Sequence, residues 1–420
     1  ESLSVLPRFD GELAQLTYLD YQSSALPSAL LQHPAVLVLG AGGGAAVLQA
    51  LYHRARHVDA VELNPQVVEL VNGEFADFTG APYLLPGVTV HNSEARGFVA
   101  AGTKRYDLIQ VALLDSFSAS AAGLYSLSEN YLYTVEAFSE YLQHLQPGGI
   151  LSITRWTKTP PRDGLKIFAT AIEALKQTGL VEPGRQLVMI RSWNTSTLLV
   201  KNEPFNDEAI NKLKAFCKER WFDLVYYPGM TADEANHYNR LQEPWFFEGA
   251  SQLLGSAPEA YLEDYKFNIR PATDDRPYFS HFLKWQTMTE LLALRNRGGL
   301  PLLEWGYLIL IATLATALLA SFILVLLPLW LQRGTQTRMQ GLHWRMIVYF
   351  AAIGTAFMFV EIAFIQKFIL FLHHPLYAVS VVLCAFLVFA GLGSLFSTRV
   401  GKLASLLTVS LGIGLLSVLY

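Results

Sequence analysis

Three glycines and one glutamate stand in an order that suits the binding of a nucleoside. Gly40, Gly42 and Gly44 follow an apolar run directly and lead into a helix-like run. Glycine lets a backbone turn tightly and approach a ligand closely, and the start of a helix presents free N–H groups. Glu62 comes about twenty residues later, at the end of a second apolar run, where a carboxylate can accept hydrogen bonds from ribose hydroxyls. This order predicts a nucleoside-type cofactor site. The alternative is an ordinary strand–helix–strand crossover whose glycines serve packing alone.

Three further side chains, Asp115, Tyr125 and Glu129, could act on a second substrate. Asp115 lies where a predicted strand ends, and a carboxylate there can bind an ammonium group and take its proton. Tyr125 and Glu129 follow on a loop and helix start that would close the pocket. Each also has a structural alternative. Asp115 would cap a turn, and Tyr125 would pack in the core. Glu129 would form a capping box with Ser126.

Short apolar runs alternate with helix-like stretches along the first half of the chain. They predict strands at 36–39, 57–61, 88–91, 106–114 and 150–156, and a hairpin from 187–193 and 196–201. Continuous apolar runs are typical of parallel strands that are buried on both faces. The pattern predicts an α/β fold, a doubly wound Rossmann sheet with a terminal β-hairpin. Ligands bind at the carboxyl ends of such strands, so Glu94 as well as Asp115 should lie near a ligand.

Composition bounds the kinds of partner that the chain can have. Its net charge of −4 over 420 residues gives nucleic-acid binding no electrostatic support. The two cysteines imply neither a disulfide framework nor a cysteine metal site. The ten histidines show no metal-ligand spacing, so no metal is expected. The chain starts without Met and ends inside an apolar run, which indicates a fragment of a longer protein.

The last part of the chain is apolar in long blocks, which predicts an α-helical transmembrane region. Runs long enough for a bilayer core of about 30 Å lie at 305–330, 346–372, 376–397 and 403–420, the last cut short. Glu361 lies within the second run, and an intramembrane carboxylate normally faces a bundle interior or a cavity. The alternative is a set of buried helices in a large soluble protein.

Changes in composition divide the chain into four predicted regions. They are a lead-in of strands or loop, a nucleoside-binding domain, an α+β elaboration over the cleft and the transmembrane region, at 1–32, 33–203, 204–300 and 301–420. A long helix is predicted at 127–145. In the elaboration, Asp274, Asp275 and Arg276 are expected to pair with one another.

Several motifs are shared with a known group of enzymes. They are Val-Leu-Val-Leu-Gly-Ala-Gly-Gly-Gly at 36–44, Val-Glu-Leu-Asn-Pro at 61–65, Glu-Ala-Arg-Gly-Phe at 94–98, Tyr-Asp-Leu-Ile at 106–109 and Gly-Leu-Tyr-Ser at 123–126. The region resembles the S-adenosylmethionine-dependent methyltransferase superfamily and, more closely, the spermidine synthase family of polyamine aminopropyltransferases. Patterns at 124–138, 273–279 and 359–362 resemble large bacterial members of that family that carry transmembrane helices.

The resemblance implies a donor and an acceptor. The donor would be S-adenosylmethionine or its decarboxylated form, and the acceptor a small amine or polyamine. Gly43 would join the other glycines at the donor, with Glu94 and Ala95 at the adenine edge. Two positions depart from the family. Gly43 stands where the family has an acid beside the aminopropyl group, and Ala112 stands where it has its catalytic acid.

Three functions remain open from the sequence. The first is a membrane-anchored transferase that moves an aminopropyl group to an amine. The second, which Gly43 and Ala112 favour, is a methyltransferase on the same fold. The third is a non-catalytic membrane transport or sensing protein with a nucleoside-binding domain, in which Glu361 would mark the pathway.

Two arguments disagree about orientation in the membrane. Arginines and lysines cluster on the side of the predicted spans opposite the soluble domain, and the positive-inside rule would place that domain outside the cytoplasm. An S-adenosyl donor is made in the cytoplasm, which places the domain inside, at a bacterial inner membrane. The lipid bilayer would then be a partner, and assembly into an oligomer stays open.

Overall fold

The computed structural model describes residues 6–113, 128–287, 305–328, 342–372, 375–397 and 411–412. The chain divides into two compact units, Glu1–Leu326 and Leu327–Tyr420. The region boundaries predicted at 33, 204 and 301 stay predictions.

One mixed sheet of eight strands forms the centre of the first unit. Its order is β3-β2-β1-β4-β5-β7-β6-β8. The strands are β1 Ala35–Leu39, β2 His57–Glu62, β3 Val88–Asn92, β4 Tyr106–Val111, β5 Leu145–Trp156, β6 Leu187–Arg191, β7 Thr195–Lys201 and β8 Asp223–Tyr226. The first five strands are parallel, and β7 runs antiparallel to both β5 and β6. The predicted doubly wound sheet with a terminal hairpin is therefore confirmed, and β8 extends its far edge.

Helices cover both faces of this sheet. They are α1 Ala45–Tyr52, α2 Pro65–Asn72, α3 Ala76–Thr79, α4 Ala95–Ala101, α5 Val135–Gln143, α6 Asp163–Gln177, α7 Asp207–Arg220, α8 Trp245–Leu254 and α9 Pro258–Asp264. In β1, Leu37 and Leu39 belong to the core under α4, α5 and α6, while Val36 and Val38 belong to the core under α1 and α7. Successive side chains of a strand point to opposite faces, so burial on both faces requires a continuous apolar run.

Several predicted elements differ in the structure: β4 ends at Val111 and not at 114, and β5 begins at Leu145 and not at 150. The lead-in forms short 3₁₀ helices, Leu13–Gln15, Thr17–Tyr21 and Ser23–Ala29, instead of strands or plain loop. Such turns satisfy backbone groups locally and need no place at a sheet edge. The helix predicted at 127–145 is also shorter. A 3₁₀ turn at Tyr131–Tyr133 precedes α5, which begins where the Thr134 hydroxyl accepts a hydrogen bond from the Ala137 N–H at 3.2 Å.

The apolar end of the chain is helical where the structure describes it. The helices are α10 Trp305–Ser321, α11 Leu342–Leu372 and α12 Pro375–Ser397. Within the last two, Val348–Ile369 and Leu376–Leu395 are long and apolar enough to cross a membrane, whereas Leu308–Leu324 is shorter. α11 and α12 pack together through aromatic rings, with 5.3 Å between the ring centroids of Phe357 and Phe386. The span predicted at 403–420 lies outside the described residues, apart from 411–412.

Candidate active site

The glycine turn links the end of β1 to the start of α1. Gly40, Gly42 and Gly44 have φ angles of +76°, +52° and +87°, in the region that glycine adopts at least cost. Gly44 also has no room for a side chain, because an added Cβ would lie 2.4 Å from Cγ of Pro82. At the carboxyl end of β1, the turn therefore has backbone atoms that no glycine side chain covers.

The Glu62 carboxylate, at the end of β2, holds this turn in place through hydrogen bonds. Its Oε2 accepts a hydrogen bond from the Gly42 N–H at 2.8 Å, and its Oε1 accepts one from the Asn64 N–H at 2.9 Å. A carboxylate has about four acceptor positions, so capacity for two ribose hydroxyls remains. The Tyr83 hydroxyl donates to the Gly42 carbonyl at 2.5 Å. Burial, with a smaller contribution from Glu62, raises the Tyr83 pKa and keeps this donor neutral. Tyr83 was not predicted from the sequence, because it lies in a short 3₁₀ turn, Pro82–Leu84, that no recognised motif marks.

Glu94 and Ala95 lie at the neighbouring strand end. The Glu94 carboxylate caps α4 by accepting the Gly97 N–H at 2.6 Å, and Ala95 is buried in the first turn of that helix. The Ser93 N–H donates to the Glu62 carbonyl at 3.2 Å. The structure thus brings together all the predicted cofactor residues at the carboxyl ends of β1, β2 and β3, with Gly43 inside the turn.

Arg96, which directly follows Ala95, forms an ion pair with a residue far away in the sequence. Its guanidinium binds both carboxylate oxygens of Asp274, at 2.5 and 2.7 Å, and the Thr134 hydroxyl donates to the same carboxylate at 2.8 Å. The expectation that Asp274 pairs within its own motif is therefore wrong. The guanidinium is planar and offers a fork of N–H groups, so a two-oxygen pairing across the fold outcompetes a local contact. Spacing in the sequence could not reveal a pair 178 positions apart.

The segment 272–282, which follows α9 and carries Asp274, crosses the start of α5. The Val135 N–H donates to the Ala272 carbonyl at 2.9 Å, and the Asn130 N–H donates to the Pro277 carbonyl at 2.7 Å. The far end of the segment accepts hydrogen bonds from the Lys166 ammonium through the carbonyls of Tyr278 and His281, at 3.3 and 3.2 Å. This segment, called the strap below, thus contacts both the start of α5 and the side chain of Lys166 on α6.

Charged side chains are buried where β5 ends. The Asp163 carboxylate, fully buried, lies 3.1 Å from Nη2 of Arg155 and 3.0 Å from Nζ of Lys158. Burial alone would raise the Asp163 pKa, but the charges of Lys158 and Arg155 outweigh burial and lower the pKa to about 2. The carboxylate is therefore ionised near neutral pH and joins β5 to the first turn of α6.

The predicted acceptor-side residues are only partly described. Asp115 and Tyr125 lie outside the described residues. Glu129 accepts a hydrogen bond from the Tyr131 hydroxyl at 3.1 Å, where burial and then Glu129 raise the Tyr131 pKa. The Ala112 N–H donates to the Leu39 carbonyl at 3.1 Å, so the chain leaves β4 beside the glycine turn. Among the described residues, no group of three or more His, Cys, Asp or Glu could hold a metal ion.

Comparison with known proteins identifies the domain that contains this site. Residues 20–192 match the spermine/spermidine synthase domain family. Because it is similar to that family, this part of the chain is called the spermidine synthase-like domain below. It includes every predicted cofactor residue and Glu129, whereas Asp274 and the apolar helices lie beyond it.

Individual relatives match the spermidine synthase-like domain over limited lengths. The polyamine aminopropyltransferase of Oceanobacillus iheyensis is 31% identical over 163 residues, which cover 36% of this chain and 30% of the relative. Polyamine aminopropyltransferase 2 of Hyperthermus butylicus is 28% identical over 193 residues, which cover 44% of this chain and 59% of the relative. The spermidine synthase structure from Thermotoga maritima is 15% identical, with a TM-score of 0.34, covering 56% of this chain and 70% of the other. The chain thus spans less than two thirds of the curated relatives it matches.

Proposed function

We propose that the protein is a membrane-anchored, spermidine synthase-like transferase. It would bind an S-adenosyl donor and transfer an aminopropyl group to a small amine or polyamine. The observation that carries this proposal is the Glu62 carboxylate, which holds the glycine turn at the carboxyl ends of adjacent strands within a spermidine synthase-like domain. The names of the aminopropyltransferase relatives support the choice of reaction.

The donor would lie across the ends of β1, β2 and β3. Glu62 would accept hydrogen bonds from the ribose hydroxyls, and the start of α1 would offer free N–H groups. Glu94 and Ala95 would contact the adenine edge. The positive sulfonium of the donor would then point towards the end of β4, where the acceptor enters.

In the reaction, the acceptor nitrogen forms a bond to the carbon next to the sulfonium sulfur. The carbon–sulfur bond breaks, and the sulfur leaves as a neutral thioether. A free amine is largely protonated near neutral pH, and a carboxylate in the site can bind the ammonium and accept its proton during attack. We assign that role to Asp115, with Tyr125 and Glu129 lining the acceptor pocket.

Methyl transfer on the same fold is the second candidate. Gly43 and Ala112 stand where the spermidine synthase family has acids, so the acceptor-side chemistry has less support than donor binding. The methyltransferase would use S-adenosylmethionine itself, and Asp115 would orient a different nucleophile.

We further propose that α11 and α12 anchor the domain at the cytoplasmic face of a bacterial inner membrane. Their apolar segments have 22 and 20 residues, which correspond to about 33 and 30 Å of helix at 1.5 Å per residue. These lengths suit a bilayer core of about 30 Å.

Product analysis separates the candidates. The detergent-solubilised chain is incubated with 1,4-diaminobutane and either S-adenosylmethionine or its decarboxylated form, and products are identified by mass spectrometry. Aminopropylated diamine from the decarboxylated donor alone is the expected result. A methylated product would establish the second candidate instead, and binding of either donor without product would favour a non-catalytic role.

A further inference from the structure

A second group of titratable residues surrounds Asp59, away from the glycine turn. Asp59 lies in β2 on the face covered by α4, and its side chain is 5% exposed. Its Oδ1 accepts from Nε2 of His91 at 2.9 Å and from Nε2 of His57 at 3.2 Å, and its Oδ2 accepts from the Lys104 ammonium. Burial alone would raise the Asp59 pKa, but hydrogen bonds from Lys104, His91, Tyr106 and His57 lower it to about 2. A buried, ionised carboxylate results.

Lys104 supplies the positive charge at this carboxylate from the protein surface. Its side chain is 51% exposed, and its ammonium also lies 5.2 Å from the centre of the Tyr106 ring. Carboxylates and aromatic rings are groups with which proteins bind alkylammonium ions. The lysine stem is flexible, so the ammonium can leave for solvent without a change in the backbone.

A cavity of about 200 Å³ adjoins this ammonium. Besides the charged group, its lining includes Leu37, Phe98, Val99, Gly102 and His144. Water occupies about 30 Å³ per molecule in the liquid, so the cavity has room for roughly six non-hydrogen atoms. Apolar walls beside an ammonium-binding carboxylate suit a short alkyl chain that ends in an amine.

We propose that this cavity is a binding site for a small primary alkylamine. The ammonium of the ligand replaces that of Lys104 on Asp59, and its alkyl chain fills the cavity. The exchange leaves one positive charge on the carboxylate, so no uncompensated charge is buried. The site lies apart from the proposed donor and acceptor sites and does not depend on the proposed reaction.

The test measures n-butylamine binding to the full chain in detergent by calorimetry. Removing Lys104 removes a tethered competitor whose effective concentration is on the order of millimolar. Lys104→Ala should therefore bind butylamine more tightly than the wild type, with a lower Kd. Arg105→Ala is the matched control, because it removes a neighbouring exposed cation and should leave the affinity unchanged.

Two further measurements examine the carboxylate and the cavity. Asp59→Asn should abolish the tight binding when combined with Lys104→Ala, and methylamine should bind Lys104→Ala more weakly than butylamine. Equal butylamine affinity in Lys104→Ala, Arg105→Ala and the wild type would overturn the proposal, whether or not Asp59→Asn folds. Equal binding of methylamine and butylamine would overturn the role of the cavity. Amine bound at the proposed acceptor site would not respond to Lys104, so such a failure leaves the proposed function intact.

Discussion

At the scale of single residues, Glu62 has the clearest expected role. Glu62→Gln keeps one acceptor oxygen for the glycine turn but loses the charge that would bind ribose hydroxyls. Hydrogen bonds to a charged group contribute about 1.5–3 kcal/mol, so affinity for S-adenosyl ligands should fall roughly tenfold or more. Calorimetric titration measures this, with the exposed Glu69→Gln on α2 as the control. Unchanged affinity in Glu62→Gln would remove the nucleoside site.

Substitution of Asp115 distinguishes a catalytic role from a role in capping a turn. As the acceptor-side base, Asp115→Asn should retain donor affinity and lose about 10²- to 10⁴-fold in turnover, because the amide cannot take a proton. If Asp115 only caps a turn, Asp115→Asn should leave turnover nearly unchanged, since Asn caps about as well as Asp. Turnover at saturating donor, together with a thermal melt, decides between them. Full activity would exclude Asp115 from the mechanism.

At the scale of elements, the 272–282 strap should support donor binding through α4. Asp274→Asn breaks the two-oxygen pairing with Arg96, which directly follows Ala95, so both thermal stability and donor affinity should fall. Asp223→Asn is the matched control, because it breaks another ion pair, with Arg191 at 3.2 Å, away from the donor residues. It should lower thermal stability alone. Equal donor affinity in Asp274→Asn and Asp223→Asn would show that the strap stabilises the fold without supporting donor binding.

The stability that Asp163 contributes, by joining β5 to α6, should depend on pH. The folded-state pKa of Asp163, about 2, lies below its ordinary value near 4. The ionised carboxylate therefore stabilises the fold fully above about pH 4, and this stabilisation is lost as the pH falls towards 2. Chemical denaturation should show wild type more stable than Asp163→Asn at pH 6, with the difference shrinking below pH 4. A difference that is independent of pH would contradict this assignment.

Particular residues show how far the sequence could be read. The glycine turn and the positions of the strands along the chain were predictable because local spacing and apolar runs set them, as Leu37 and Val38 show by facing opposite cores. The 3₁₀ helices of the lead-in were not, since short turns leave no periodic pattern. The pairing of Arg96 with Asp274 arises only when the fold brings distant segments together.

For the chain as a whole, the apolar helices should determine whether the protein is found in the membrane fraction or in the soluble fraction. The full chain, expressed in bacteria, should stay in the membrane pellet after an alkaline carbonate wash, because α11 and α12 contain segments long and apolar enough to span the bilayer. A chain ending at residue 287 lacks both and should appear in the supernatant. Ultracentrifugation and immunoblotting measure the distribution. Release of the full chain by the wash would contradict the anchor.

The bonds from Glu62 to the glycine turn have a consequence for the kinetics of donor binding. The turn is held in shape from both sides, by hydrogen bonds to the Glu62 carboxylate and from the Tyr83 hydroxyl. A preorganised backbone loses little conformational entropy when a ligand arrives. Donor capture at this turn should therefore be a single bimolecular step, with an observed rate that rises linearly with donor concentration and no slow loop-ordering phase.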